Sequence, residues 1–176
     1  MKQKAINQKN SFKWLQNPFF LYILITIVCL LLLLVYVSQA SVSIFLEKWT
    51  TILLNSILNL IHIKTRMNGN LILLLDGSQI KFQIIPDCTG IYPLIILISL
   101  MAGFPVKFLK KIIGLGMAIV CTFVFNYVRL VLLFIIGRAS AKWFDVAHLI
   151  IWQVSFVVFI VLFFFGWMQW AKKTNT

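Results

Sequence analysis

Along the chain, long apolar blocks alternate with short polar or basic connectors. The pattern predicts membrane spans over 18–38, 88–104, 112–132 and 148–170, since about 20 apolar residues suffice for a helix to cross a bilayer. Between the first two spans the period changes. From 42 to 61, Phe45, Trp49, Ile52, Leu53, Ile57 and Leu60 fall on one side of a helix, while Glu47, Thr51, Asn55 and Asn59 recur every fourth residue opposite. This reads as an amphipathic helix lying in the interface; a further span, with the polar stripe turned to a bundle interior, is the alternative. Residues 71–85 carry an alternating pattern broken by Asp76-Gly77-Ser78, which indicates a β-hairpin. Its strands must lie outside the hydrocarbon or be covered by protein, because lipid does not tolerate open sheet edges. The expected fold class is an all-α integral membrane protein, one domain over 1–176, with about four transmembrane helices, an outer interfacial amphipathic helix and a small hairpin.

Composition agrees: 61% apolar residues, 11% charged residues and a mean hydropathy of +0.98 exclude an ordinary soluble domain. A net charge of +12 would suggest nucleic acid, but the basic residues are scattered over connectors, so membrane lipid rather than nucleic acid is the expected partner. The distribution sets topology instead. On the four-span assignment one side holds nine basic and no acidic residues, and the other seven basic and four acidic residues. Short basic loops stay in the cytoplasm, so both termini are expected there, in the cytoplasmic (inner) membrane. A cleaved signal peptide ending at Ser38-Gln39-Ala40 competes with the first span, but the apolar run exceeds the usual signal core.

That orientation brings three chemically capable side chains to the outer face. Pro86 ends the hairpin two residues before Cys88, in the polar knot Pro86-Asp87-Cys88-Thr89-Gly90-Ile91-Tyr92. A thiol at a helix start, with Asp87 or Thr89 as cap, would gain acidity from the helix dipole, although the charge of Asp87 opposes it. His148 opens the last span and can carry a proton near neutrality, with Asp145 placed to cap the helix or orient the ring. Arg129 lies near the outer end of its span, where a guanidinium is costly and usually serves a site; Asn126 is one turn earlier on the same face. Each has a bland reading: buried thiol, interfacial histidine, snorkelling arginine. Cys29 and Cys121 read as packing residues and His62 as a surface residue. Nothing has zinc-ligand spacing, H-E-x-x-H included, so no metal or cofactor is expected.

With Cys88-Thr89-Gly90 after a strand-like approach, Asn126-Tyr127-Val128-Arg129 in a later span and His148 opening the last, the chain resembles the exosortase/archaeosortase group of membrane-embedded cysteine transpeptidases over roughly 71–165. The resemblance implies that Cys88 attacks a peptide bond in a substrate's C-terminal sorting signal, a motif followed by a hydrophobic helix and a basic tail, forming a thioester that a second nucleophile resolves. It implies His148 as general acid/base and Arg129 as stabiliser. The hairpin would then form a lid or rim over the thiol. Two other classes fit the residues alone: a non-catalytic membrane scaffold held by Arg129 and His148, and a small transporter with Arg129 on an anion path.

Overall fold

A computed structural model of the chain describes residues 18–75 and 81–173, apart from the side chains at 141 and 145. The expected turn Asp76-Gly77-Ser78 therefore lies outside the described residues. Helix α1 spans Pro18–Val37 and α2 Ala40–Leu60; strands β1 (Thr65–Asn68), β2 (Leu71–Leu74) and β3 (Lys81–Gln83) follow, then a 3-10 turn over Pro86–Cys88. Helix α3 is Ile91–Gly103 and α4 is Phe108–Ala139; the short α5 (Ala141–Val146) runs through a wide π turn (Ala147–Ile151) into α6 (Trp152–Lys173).

Among the described residues, three helical runs are long and apolar enough to cross a membrane: Pro18–Val37, Phe108–Ala139 and Lys142–Lys173. The fourth apolar helix, α3, has 13 residues. At 1.5 Å per residue it covers about 20 Å, short of the roughly 30 Å of hydrocarbon. Its ends explain the length: Gly90 precedes it in a left-handed conformation, and the Gly103-Phe104-Pro105 sequence stops it. Helix α4, by contrast, runs well past the expected 112–132 at both ends, so Arg129 lies ten residues before the helix terminus Ala139. The connector expected before His148 is itself helical from Ala141, because no breaker interrupts it.

The sheet has three antiparallel strands in the order β1-β2-β3, one more than the expected hairpin. β2 pairs with β3, Leu71 opposite Gln83 and Leu73 opposite Lys81, within the hairpin region. The extra strand β1 comes from the stretch before the hairpin, for which no strand was expected, and pairs Thr65 with Leu74 and Asn68 with Leu71. Its signal was the Asn68-Gly69 dipeptide, a hairpin-turn signature.

The polar stripe of α2 holds this sheet. Asn59 and Asn55 both bond Thr65, the former through its amide to Thr65 Oγ1 at 3.2 Å and the latter through Oδ1 accepting from the same hydroxyl at 3.0 Å. Asn70 donates to Glu47 Oε2 at 3.1 Å. The apolar side, including Phe45, Trp49, Leu53 and Leu60, is exposed. The helix is thus inside-out by aqueous standards, with polar groups satisfied by protein and apolar ones left for lipid.

Two clusters fill the interior. One joins Leu54 and Leu58 of α2, Ile72, Leu74 and Ile84 of the sheet region, Cys88, and Leu130 and Phe134 of α4. The other joins Leu94, Leu97 and Met101 of α3, Ala118 of α4, and Trp167 and Ala171 of α6. In the second, the Trp167 indole donates to the Lys110 carbonyl at 3.3 Å and lies directly over Gly114. Lys110 Nζ caps the end of α6 through the Ala171 carbonyl at 2.7 Å, and Lys111 Nζ caps α3 through the Ala102 carbonyl at 2.6 Å. A Cβ at Gly114 would run into the indole, so Gly114→Val is expected to cost about 1–3 kcal/mol of stability, read as a lower unfolding midpoint of the purified protein in detergent.

Candidate functional site

Pro86 cannot donate to a strand ladder, so the chain leaves β3 and folds into the 3-10 turn that carries Cys88. Little of the turn's polar backbone is left open. Cys88 N–H donates to the Ile85 carbonyl at 2.8 Å and Thr89 N–H to the Pro86 carbonyl at 3.0 Å. The Thr89 hydroxyl also donates to the Pro86 carbonyl, at 2.7 Å, and accepts from the Ile91 N–H at 3.4 Å, bridging the turn to α3.

Helix α4 supplies the rest. Asn126, fully buried, donates Nδ2–H to the Cys88 carbonyl at 2.9 Å, and Arg129 Nη1 donates to the Asp87 carbonyl at 3.4 Å. Asn126 comes this close because residue 90 is glycine: its φ is +76°, and a Cβ there would stand 2.9 Å from Asn126 Cγ. The backbone angle and the missing side chain are needed together. The guanidinium of Arg129 lies 5.1 Å from the ring centroid of Phe156, a cation–π contact between α4 and α6. Among the described residues, Thr122 Oγ1, Asn126 Oδ1, Arg129 Nε and Trp152 Nε1 are buried without a hydrogen-bond partner.

Cys88 is a free thiol, 6% exposed. Burial pushes its pKa above the ordinary cysteine value, outweighing a backbone hydrogen bond at Ile85 and the charge of Arg129, both of which favour the thiolate. The expected gain in acidity at a helix start is therefore outweighed by desolvation.

Cys88 and His148 line one cavity of about 350 Å³, walled by Leu54 of α2, Phe82, Leu133 and Phe134. The His148 ring stacks on Phe144, with centroids 5.6 Å apart and planes within 3°. Phe144 meets Phe82 of β3 edge-on at 5.7 Å, and Phe82 lies against Phe134 at 4.4 Å. Lys81 to Ile85 all border the cavity, so the strand leading to the thiol is one of its walls. Of the residues singled out in the sequence, Cys88, Thr89, Asn126 and Arg129 meet at the turn, and His148 joins Cys88 across the cavity. Asp87 is exposed and contributes its carbonyl, while the Asp145 side chain lies outside the described ones. Cys29 and Cys121 are partly exposed and free. The aromatic wall Phe82, Phe134 and Phe144 was missed, because apolar residues at helical and strand spacing read as ordinary packing.

These features define a multi-pass membrane protein with a buried thiol and a buried guanidinium at one turn, and an imidazole lining the same cavity as the thiol. The family model described as transmembrane exosortase matches residues 13–168, and the chain belongs to that family. No curated protein and no solved structure matches the chain significantly.

The sign of the thiol's shift is open to measurement. With Cys29 and Cys121 replaced by alanine, Cys88 alkylation is expected to have a pH midpoint above that of an ordinary cysteine, and Arg129→Gln should move it higher still. A midpoint at or below the ordinary value would contradict desolvation as the dominant influence. Asn126→Ala, which leaves the Cys88 carbonyl unpaired, should lower stability by about 1–3 kcal/mol, checked by unfolding of the purified variant.

Proposed function

We propose that this exosortase is a cysteine transpeptidase that cleaves C-terminal sorting signals of surface or secreted proteins and transfers them to an acceptor. The observation that carries the reading is the shared cavity of Cys88 and His148 beside a turn held by Arg129. His148 takes the thiol proton as the Cys88 sulfur attacks the scissile carbonyl carbon, giving a tetrahedral oxyanion. Arg129 stabilises that oxyanion electrostatically. As the carbon–nitrogen bond breaks, His148 returns the proton to the leaving amine, and the acyl group stays on sulfur as a thioester. A second nucleophile gives up a proton to His148, attacks the thioester and frees the thiol.

Asn126 and Thr89 support the reaction by fixing the turn that carries the thiol. The substrates are membrane-anchored proteins whose signal comprises a short motif, an apolar helix and a basic tail. The charge asymmetry of the connectors supports cytoplasmic termini, with the Cys88 cavity toward the outer face of the cytoplasmic membrane.

In cells expressing Cys88→Ala, full-length surface proteins should accumulate with their apolar C-terminal segments intact. His148→Ala and Arg129→Gln should each slow processing by about 100-fold or more. Mass spectrometry of protein C-termini reads both effects, and a thioester-linked precursor on Cys88 can be trapped at low pH. Unchanged processing in Cys88→Ala would overturn the proposal.

A further inference from the structure

Beyond the Cys88 cavity, a groove lies between α4 and α6. Cys121, Phe125, Arg129, Leu133 and Gly137 are spaced by four along α4 and so form one ridge of the helix. Leu133 and Gly137 wall the Cys88 cavity. Cys121 and Phe125 wall a second groove, of about 510 Å³, whose other side is Trp152, Ser155, Val158 and Leu162 of α6. Arg129 stands between the two on that ridge. On the facing side Phe144 and His148 lead into Trp152 at the same spacing, through the π turn.

The two helices are pinned at either end of this groove. Toward the cavity Arg129 lies 5.1 Å from the Phe156 ring centroid, and at the far end Trp167 and Lys110 tie α6 to α4. Between these points the helices meet through aromatic rings, and the Phe125–Phe159 stack at 4.8 Å forms the floor of the groove. From Trp152 to Phe163 the groove runs about 16 Å along the axis, three helical turns. Cys121 and Ser155 on its walls are small, which permits close approach of another helix. The Ser155 hydroxyl is already bonded to the Ile151 carbonyl at 2.7 Å, so covering it strands no polar group. A further apolar groove, of about 570 Å³, is walled by α1, α2 and α3 and bordered by neither of the helices that carry Arg129 and His148.

We infer that the α4–α6 groove is the docking lane for the apolar helix of the substrate's sorting signal, with the extended residues before that helix passing Arg129 into the Cys88 cavity. This rests on the cysteine transpeptidase reading, and it adds the route by which the scissile bond is brought to register. The helix seats against Phe125, Val158 and Leu162, and the chain leaves it beside Trp152, whose buried indole N–H has no hydrogen-bond partner among the described residues.

The test uses the full chain in its native membrane, with Cys88→Ala to hold precursors uncleaved. A photo-crosslinking phenylalanine derivative is placed at exposed Val158 in the proposed lane or at exposed Phe45 in the other groove. The expected result is crosslinking from position 158 to the apolar C-terminal segment of a protein that also accumulates unprocessed, and none from position 45. With Cys88 retained, Val158→Trp should fill the lane and reduce processing at least tenfold while leaving the rate of Cys88 alkylation unchanged. Precursors that accumulate but crosslink from position 45, or yield lipid adducts alone at 158, would overturn the lane and leave the cysteine chemistry standing. Unimpaired processing in Val158→Trp would do the same. If no precursor accumulates in Cys88→Ala, the transpeptidase reading itself fails, and the lane with it.

Discussion

The Asn126 amide on the Cys88 carbonyl is the contact on which the site depends. Irregular backbone buried in an apolar body must find all its hydrogen bonds within the protein. The turn between β3 and α3 does so by borrowing from α4: Asn126 for the Cys88 carbonyl at 2.9 Å and Arg129 for the Asp87 carbonyl at 3.4 Å. Gly90 makes that loan possible, since a side chain there would displace Asn126. Thiol, clamp and cation are consequently one unit: the residue that carries the positive charge also holds the backbone next to the sulfur.

Around that unit the protein inverts the layout of a soluble domain. Helix α2 turns Glu47, Asn55 and Asn59 toward the sheet and leaves Phe45, Trp49 and Leu60 exposed. The sheet so held delivers Phe82 and Ile84 to the cavity wall. Far from the cavity, Lys110 and Lys111 in the first turn of α4 are used in the same economical way, bonding the carbonyls that end α6 and α3. Such capping satisfies helix C-terminal carbonyls and places positive charge where the helix dipole favours it.

Much of this was legible in the chain itself. Apolar blocks mark the long helices, the four-residue recurrence of polar groups marks α2, and Pro86 and Gly90 punctuate the turn around Cys88. The ordered set Cys88, Asn126, Arg129 and His148 was legible as a candidate site because polar groups at membrane depth are expensive. Other features depend on information that no local pattern carries. Strand β1 has too few apolar positions to announce itself beyond the Asn68-Gly69 turn, and its pairing is settled by Asn55 and Asn59 of another element. The sequence places Asn126 only one turn before Arg129 on the same face; its partner is the backbone of Cys88, which only the packing of α4 on the turn decides. The sign of the thiol's shift was also hidden, since a helix start and a nearby arginine argue for acidity while the depth of burial belongs to the whole fold.

Desolvation has a consequence for how the proposed chemistry would run. A thiol held protonated by burial is a poor nucleophile at rest and a poor target for stray electrophiles. Arg129 offsets part of that penalty, and its charge acts through an apolar surround where electrostatic interactions are stronger than in water. On the transpeptidase reading, the missing part is supplied when His148 accepts the proton across the cavity with a substrate carbonyl in place. Thiolate would then form only as it is consumed. On the same reading the aromatic wall of Phe82, Phe134 and Phe144 serves the same end: by keeping the cavity apolar it would maintain both the resting thiol's neutrality and the strength of the Arg129 field on the oxyanion.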